Sequence, residues 1–279
     1  MTEATDDRAR SAFRSIAEMS DLTGRTVIVT GGAGHIGRAA TAALVERGAT
    51  VAVVDLNAEA CTSAAEEAVQ GRSGSAFAVS CDLSNEDATR SIAEQVLDRT
   101  GSIDGLVHFA ALVSSEPLEN WTTPFEQQST SVWRQALEIN LTAVFVLTQA
   151  CTPALRSSGH GSVVTVGSTY GMVGPDWRIY EGTEMGNAAG YAASKGGVIQ
   201  LTKWMATTLA PDIRVNCLSP GGVFRDHPDS FRTAYESRTP LQRMATEEDY
   251  MGACLFLVSD LSAYVTGQNL AVDGGWTAW

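Results

Sequence analysis

"TVIVTGGAGHIGR", residues 26–38, sets a β-branched run directly against four glycines and then turns polar. Valine and isoleucine suit a pleated, buried surface, so residues 26–30 read as a strand. Glycine permits the positive φ and close backbone approach that a sharp reversal requires. The alanine-rich "IGRAATAALVERG" that follows has helical apolar spacing. A helix opening straight after such a turn presents unpaired N–H groups and the positive end of its dipole, a setting that suits a pyrophosphate. Gly32, Gly34 and Gly37 spell G-x-G-x-x-G, which is weak evidence alone. Asp55 strengthens it, because it closes the next β-branched run 18 residues beyond Gly37, where a carboxylate can accept hydrogen bonds from both adenosine ribose hydroxyls. The same carboxylate repels a 2′-phosphate, and neighbouring Leu56 brings no cation to offset that, so NAD(H) is expected over NADP(H). Arg38 is expected on the helix surface. The competing reading of Asp55 is a turn carboxylate at a strand end.

The alternation continues along the chain. Strand-like runs at 50–55, 75–82, 104–111, 161–168, 212–220 and 268–275 are separated by amphipathic, alanine-rich stretches. Buried strands alternating with helices predict βαβ units and a three-layer, doubly wound parallel sheet, an α/β Rossmann-type fold in a single domain over residues 23–279. Residues 1–22 read as a polar N-terminal extension, with a helix expected over 7–19. Two irregular stretches, 171–189 and 222–246, follow strands and are expected to be substrate loops.

Composition narrows the function. The formal net charge is −13 over 279 residues, which disfavours nucleic acid and anionic membrane surfaces as partners. No apolar run is long enough to span a bilayer, and the amino terminus lacks the apolar core of a secretory signal. Five cysteines without close pairs read as buried free thiols in a reducing cytoplasm, and four scattered histidines give no metal-ligand spacing.

The chemistry concentrates later in the chain. "YAASK" places Tyr191 and Lys195 four residues apart, on one face of a helix. A free phenol, with a pKa near 10, is a poor base at neutral pH, and an adjacent ammonium is expected to lower that value. Tyr191 is then a proton carrier for an alcohol/ketone pair. Ser168, directly after the apolar run "SVVTVG", can hydrogen-bond the same substrate oxygen. Asn140 stands inside a helical stretch where asparagine has poor propensity, which points to a non-local role such as holding a water near Lys195.

Together these pieces resemble the short-chain dehydrogenase/reductase family over roughly residues 22–279. The landmarks run in order: the turn at 30–37, "DLS" at 82–84, "HFAA" at 108–111, Asn140, Ser168, Tyr191 with Lys195, "SPGG" at 219–222 and the closing "YVTGQNLAVDGGW". The resemblance implies Tyr191 as general acid/base, Lys195 as its partner and a ligand of the nicotinamide ribose, Ser168 as the group that positions the substrate, and Asn140 as support for a proton relay through water. It implies an NAD site built from Gly31, Gly34, His35, Ile36, Gly37, Asp55, Leu56, Asp82, Leu83, Ala110, Tyr191, Lys195, Pro220, Gly221 and Val223. It implies a homo-oligomer, dimer or tetramer, and a small-molecule substrate.

Two departures stand out. Classical members carry a glycine at the position of His35, whereas Thr30, Gly31, Gly34 and Gly37 follow the T-G-x-x-G-x-x-G pattern of the family's extended members. The closing segment and the total length are those of classical members, so the turn is expected to bind a dinucleotide with His35 tolerated. The second departure is the 23-residue separation of Ser168 from Tyr191, longer than the family's usual spacing. The extra residues carry Trp177, Arg178, Tyr180, Glu181 and Glu184, a set that suits a hydroxylated, sugar-like or sugar-acid-like substrate, or packing against a neighbouring subunit. Phe224, Arg225, His227 and Arg232 in the second loop are candidates to border the pocket. The expected activity is NAD(H)-dependent interconversion of a secondary alcohol and a ketone. An epimerase or dehydratase with internally recycled NAD, and a non-catalytic dinucleotide sensor, are the alternatives.

Overall fold

The structure, a computed structural model, describes residues 13–113 and 118–279. Among them, seven strands form one sheet: β1 (Thr26–Thr30), β2 (Thr50–Asp55), β3 (Ser75–Ser80), β4 (Gly105–His108), β5 (Ser162–Val166), β6 (Arg214–Pro220) and β7 (Asn269–Val272). Their order across the sheet is β3-β2-β1-β4-β5-β6-β7, and every pairing is parallel. The helices are α1 (Ile16–Met19), α2 (His35–Glu46), α3 (Ala58–Val69), α4 (Glu86–Thr100), α5 (Thr130–Leu137), α6 (Ala143–Ser157), α7 (Ala189–Leu209), α8 (Asp229–Arg238) and α9 (Met251–Val258). This is the doubly wound α/β architecture that the alternation predicts.

Alternate residues of each strand serve opposite faces. Val27, Val29, Val51 and Val53 pack with Ala40, Leu44, Ala64 and Leu257 of α2, α3 and α9. Ile28, Ala52 and Val54 pack with Ile92, Leu147 and Met205 of α4, α6 and α7. Thr30 pairs with Val54 on one side and His108 on the other. The sheet is therefore filled outward in both directions from β1 and β4, and a crevice opens where the two halves part. All five cysteines are buried and unpaired. No helix of the described residues is long and apolar enough to cross a membrane.

The structure adds detail at three places that the sequence singled out. The second loop is not irregular throughout, since it contains α8. That helix buries only Phe231 and Tyr235 amid polar neighbours, too sparse an apolar pattern to read as a helix. Asn140 sits in a π-helical turn, Glu138–Thr142, between α5 and α6, where Ala143 N donates to Glu138 O. The amino-terminal extension is partly docked. Ser15 and Glu18 form a capping box on α1, and Arg14 pairs with Asp260. Leu22 is fully buried in the core; of the helix expected over 7–19, residues 7–12 lie outside the described residues, 13–15 are not helical, and only Ile16–Met19 forms it.

A buried carboxylate registers the start of the central strands. Asp104 Oδ2 accepts from Thr26 N at 2.8 Å and from Ser102 Oγ at 3.0 Å. Asp104→Ala leaves a buried amide unpaired and should lower unfolding stability by about 1–3 kcal/mol. Chemical denaturation checks this, and an unchanged midpoint would remove Asp104 from the strand register.

Candidate active site

The turn after β1 is shaped by what it excludes. Gly31 has φ +66°, and a Cβ there would lie 2.5 Å from Ala110 N. A Cβ on Gly37 would lie 2.0 Å from Gly31 O. The turn thus closes backbone on backbone, and only glycine fits at either position. Gly34 is the N-cap of α2 and supplies no side-chain acceptor, so the first-turn amides face outward uncapped. Such a cradle fits the pyrophosphate of a dinucleotide. His35 is the first residue of α2, with its imidazole largely exposed, and Ile36 follows, packed against the core.

Asp55 ends β2 on the same edge. Its Oδ2 accepts from Ala33 N at 3.3 Å and its Oδ1 from Leu56 N at 2.8 Å, which fixes the carboxylate beside the turn. Leu56 is 67% exposed, an open apolar surface next to it. Arg38 is committed elsewhere, with Nε on Ala33 O at 2.9 Å and Nη1 on Glu67 at 2.7 Å. Beyond β3, Asp82 accepts from Ser84 N and Oγ at 2.9 and 2.7 Å, and these bonds hold its carboxyl below the ordinary range. Leu83 packs on the core beneath it.

The remaining candidates meet where β4, β5 and β6 end. Ser168 caps the short 3-10 turn Thr169–Gly171, which lies against α7 so closely that a Cβ on Gly171 would be 2.7 Å from the Lys195 carbonyl carbon. Burial pushes the Tyr191 phenol above its ordinary pKa, and a hydrogen bond with the Ser168 hydroxyl draws it part of the way back. Lys195 is 2% exposed. Its Nζ donates to Val166 O at 2.9 Å and stands 5.7 Å from the Tyr191 ring centroid. Burial lowers this ammonium to about 8.

Asn140 is a brace. Its Oδ1 accepts from Leu112 N at 2.6 Å, and its Nδ2 donates to Ser194 Oγ at 3.0 Å. Ser194 in turn donates to Tyr191 O at 2.8 Å. The side chain bonds protein at both ends and ties the loop after β4 to α7. The widened turn that carries it is the kind of helix irregularity often found at functional sites. His108 lies below, its Nε2 3.1 Å from Thr148 Oγ1, and burial together with the Lys195 charge lowers it to about 3.

Pro220 ends β6, and Gly221 backs onto Asp273, where a Cβ would lie 2.8 Å from Cα. Val223 bridges to Ala245. The two loops pack together through aromatic side chains. Tyr180 buries against Phe231 of α8 and joins its hydroxyl to that of Tyr170 at 2.5 Å. Asp176 takes Arg178 from its own segment and Arg238 from α8. The charges of the insert therefore neutralise one another or, as with Glu181 and Glu184, point to solvent, while Ile179, Tyr180 and Met185 form its inner face. Arg232 is paired with Asp229 and covers the Phe224 ring. Sequence reading missed Tyr170, Tyr235 and Ser194. Tyr170 follows Ser168 by two residues and Ser194 precedes Lys195, so proximity to the motifs was the available signal.

A glycine turn on the switch point, with Ser168, Tyr191 and Lys195 gathered on the same sheet edge, defines a dinucleotide-linked oxidoreductase. The chain belongs to the short-chain dehydrogenase/reductase family, whose enzymes act on CH–OH groups with a nicotinamide dinucleotide, and the family model described as Enoyl-(Acyl carrier protein) reductase matches residues 31–277. It is 34% identical over 266 residues to a probable galactose dehydrogenase of Rhizobium meliloti (strain 1021), covering 93% of this chain and 97% of that one. It is 34% identical over 268 residues to a cyclopentanol dehydrogenase of Comamonas testosteroni, covering 93% and 100%. A solved structure from Beutenbergia cavernae, described as an NAD(P)-dependent gluconate 5-dehydrogenase and holding NADP at low occupancy, superposes with a TM-score of 0.80. It is 34% identical and covers 94% of this chain and 100% of its own.

The buried ammonium has a measurable consequence. Lys195 binds its proton less tightly folded (about 8) than unfolded (10.5), so its charge opposes folding most below pH 8 and is relieved as pH rises toward 10.5. Lys195→Met should therefore lose activity without losing stability at neutral pH. Its stability relative to wild type should fall between about pH 8 and 10 as the wild type recovers. Thermal melts across that window check the sign, and a variant destabilised most at neutral pH would contradict it.

Proposed function

We propose that this protein interconverts a secondary alcohol and its ketone using NAD(H), with a hydroxylated ring-bearing compound as substrate. The observation that carries the reading is the convergence of Ser168, Tyr191 and Lys195 on the edge that also bears the glycine turn. When bound there, the nicotinamide supplies the hydride acceptor or donor. The Ser168 hydroxyl and the Tyr191 phenol hold the reacting oxygen between them. Tyr191 removes the hydroxyl proton during oxidation and returns it during reduction. Its raised pKa leaves the neutral phenol in place at neutral pH, so ketone reduction runs there and alcohol oxidation speeds up as pH rises. Lys195 holds positive charge on the tyrosine's own helix face, and Asn140 keeps that helix in register through Ser194.

Three further observations support the finer parts. Asp55, fixed by two amides and without a free cation from Arg38, favours an unphosphorylated ribose and hence NAD(H). Tyr180 on the apolar inner face of the insert, with its hydroxyl joined to that of Tyr170, suits a ring that offers both C–H faces and further hydroxyls. The galactose relative agrees with a hydroxylated ring, the gluconate relative with the hydroxyls alone and the cyclopentanol enzyme with the ring alone. Trp133, Phe145 and Trp204 expose large apolar surface on α5, α6 and α7, which supports a homo-oligomer built on those helices.

The deciding experiment pairs NAD and NADP with cyclic polyols, sugars, sugar acids and simple cyclic alcohols while nicotinamide absorbance is followed. Net NADH formation with one group is expected. NAD that co-purifies and is never released as NADH would instead favour an internally recycled cofactor. Tyr191→Phe should lower kcat by about 10²-fold or more, the ordinary worth of a positioned acid/base, with little change in NADH affinity. Asp55→Ser should cut the preference for NAD over NADP by about tenfold, since it removes the charge that opposes a 2′-phosphate. Retained turnover in the first variant, or an unchanged cofactor ratio in the second, would remove that residue from its role.

A further inference from the structure

Glu247 lies between two nitrogen-bearing side chains from distant parts of the chain, the His35 imidazole and the Arg225 guanidinium. Its Oε1 lies 3.8 Å from His35 Nδ1, on the first residue of α2, and 3.5 Å from Arg225 Nε, on the loop after β6. The placement of Arg225 is built by backbone. Phe224 N donates to Ala245 O at 2.9 Å, Ala245 N donates to Gly222 O at 2.9 Å, and Val223 bridges Ala245. That zipper sets residues 222–225 alongside 245–247, and Glu247 opens the short helical turn that packs on α2. Arg225 is thereby carried to the mouth of the glycine cradle. The other arginine singled out in that loop, Arg232, is engaged by Asp229 and Phe224, whereas Arg225 shares the Glu247 carboxylate with the first residue of α2.

The trio has an electrostatic peculiarity. A carboxylate stands within 4 Å of the first side chain of a helix whose first turn has no side-chain cap. Glu247 would repel a pyrophosphate, yet it is the group that gathers His35 and Arg225 around the same spot. These facts fit together if Glu247 is a placeholder. It positions the Arg225 guanidinium and the His35 imidazole beside the turn, from where both can turn to the phosphate oxygens of a dinucleotide. Arginine suits such an exchange because its planar fork can serve a carboxylate and a phosphate in turn.

We propose that Arg225 and His35, held ready by Glu247, complete the pyrophosphate site from above the glycine turn. The inference rests on the dinucleotide reading given above. It assigns Arg225 to the cofactor rather than to a substrate anion, and it gives His35 a binding role where a glycine would give none.

The test is direct binding, followed by NADH fluorescence on the full chain at low and moderate salt, with adenosine as a ligand that lacks the pyrophosphate. Arg225→Gln should weaken NADH about tenfold and flatten the salt dependence, as expected when one phosphate contact is lost, while adenosine binding stays unchanged. Glu247→Gln should tighten NADH several-fold, because the competing carboxylate is gone and the exposed site tolerates the swap. His35→Gly should weaken NADH by a smaller factor. Unchanged NADH affinity in Arg225→Gln, or weaker binding in Glu247→Gln, would overturn the proposal. Failure of wild type to bind either NADH or NADPH would instead sink the dinucleotide reading itself, so the two failures are distinguishable.

Discussion

Parallel pairing forces every strand of this sheet to end on the same side, and the molecule's chemistry follows from that constraint. The loop after each strand is delivered to one edge, whatever its distance along the chain. The turn at Gly31, the carboxylate of Asp55, the hydroxyl of Ser168 and the backbone of Gly221 are far apart in sequence but share that edge. The close contact of Gly31 with Ala110 sits at the β1/β4 boundary, where the strand order reverses and the helices diverge to leave a crevice. An antiparallel neighbour at that point would place its loop on the opposite edge and separate the turn from Tyr191.

The site is assembled at the expense of stability, and the burial of polar groups shows where. Lys195 is buried with a backbone carbonyl as its hydrogen-bond acceptor, and His108 stays neutral beneath it against Thr148. Charges placed this way are costly unless paired, so their retention points to function rather than to packing. The surrounding structure compensates by fixing backbone. Asn140 in its π-helical turn links Leu112 to Ser194, and so couples the β4 loop to the helix that carries both Tyr191 and Lys195. A flexible mount at that junction would let the phenol drift from Ser168.

The strands were legible because β-branched runs of five or six residues have few other uses, and Tyr191 with Lys195 was legible because a four-residue spacing on a helix has a fixed geometric meaning. Helix α8 was not, since its two buried aromatics are lost among charged neighbours that face solvent. The meaning of the insert also changed once folded. Arg178 and Glu181 make its composition look polar, but Asp176 absorbs two guanidiniums and leaves Tyr180 as the group turned inward. Composition counts charges and is blind to whether they cancel. The Tyr191 environment followed the same logic, because sequence gives the distance to Lys195 along the helix but not the carbonyl of Val166, from a different element, that takes hold of the ammonium.

Net charge raises a related question. With a formal charge of −13, this chain has a long-range field that opposes any dinucleotide, itself an anion. Binding must then rely on short-range donors in a region where screening and local geometry outweigh the overall field. The uncapped amides of α2 provide partial charges only, and Asp55 beside them is itself negative. A compensating cation is needed close to the phosphates, and the glycine turn carries none in its own backbone. Recruiting it from the loop after β6 makes the anion site depend on the same segment that borders the substrate. On the proposal for Arg225, cofactor capture is tied to the position of residues 222–225, which the pairing with Ala245 sets.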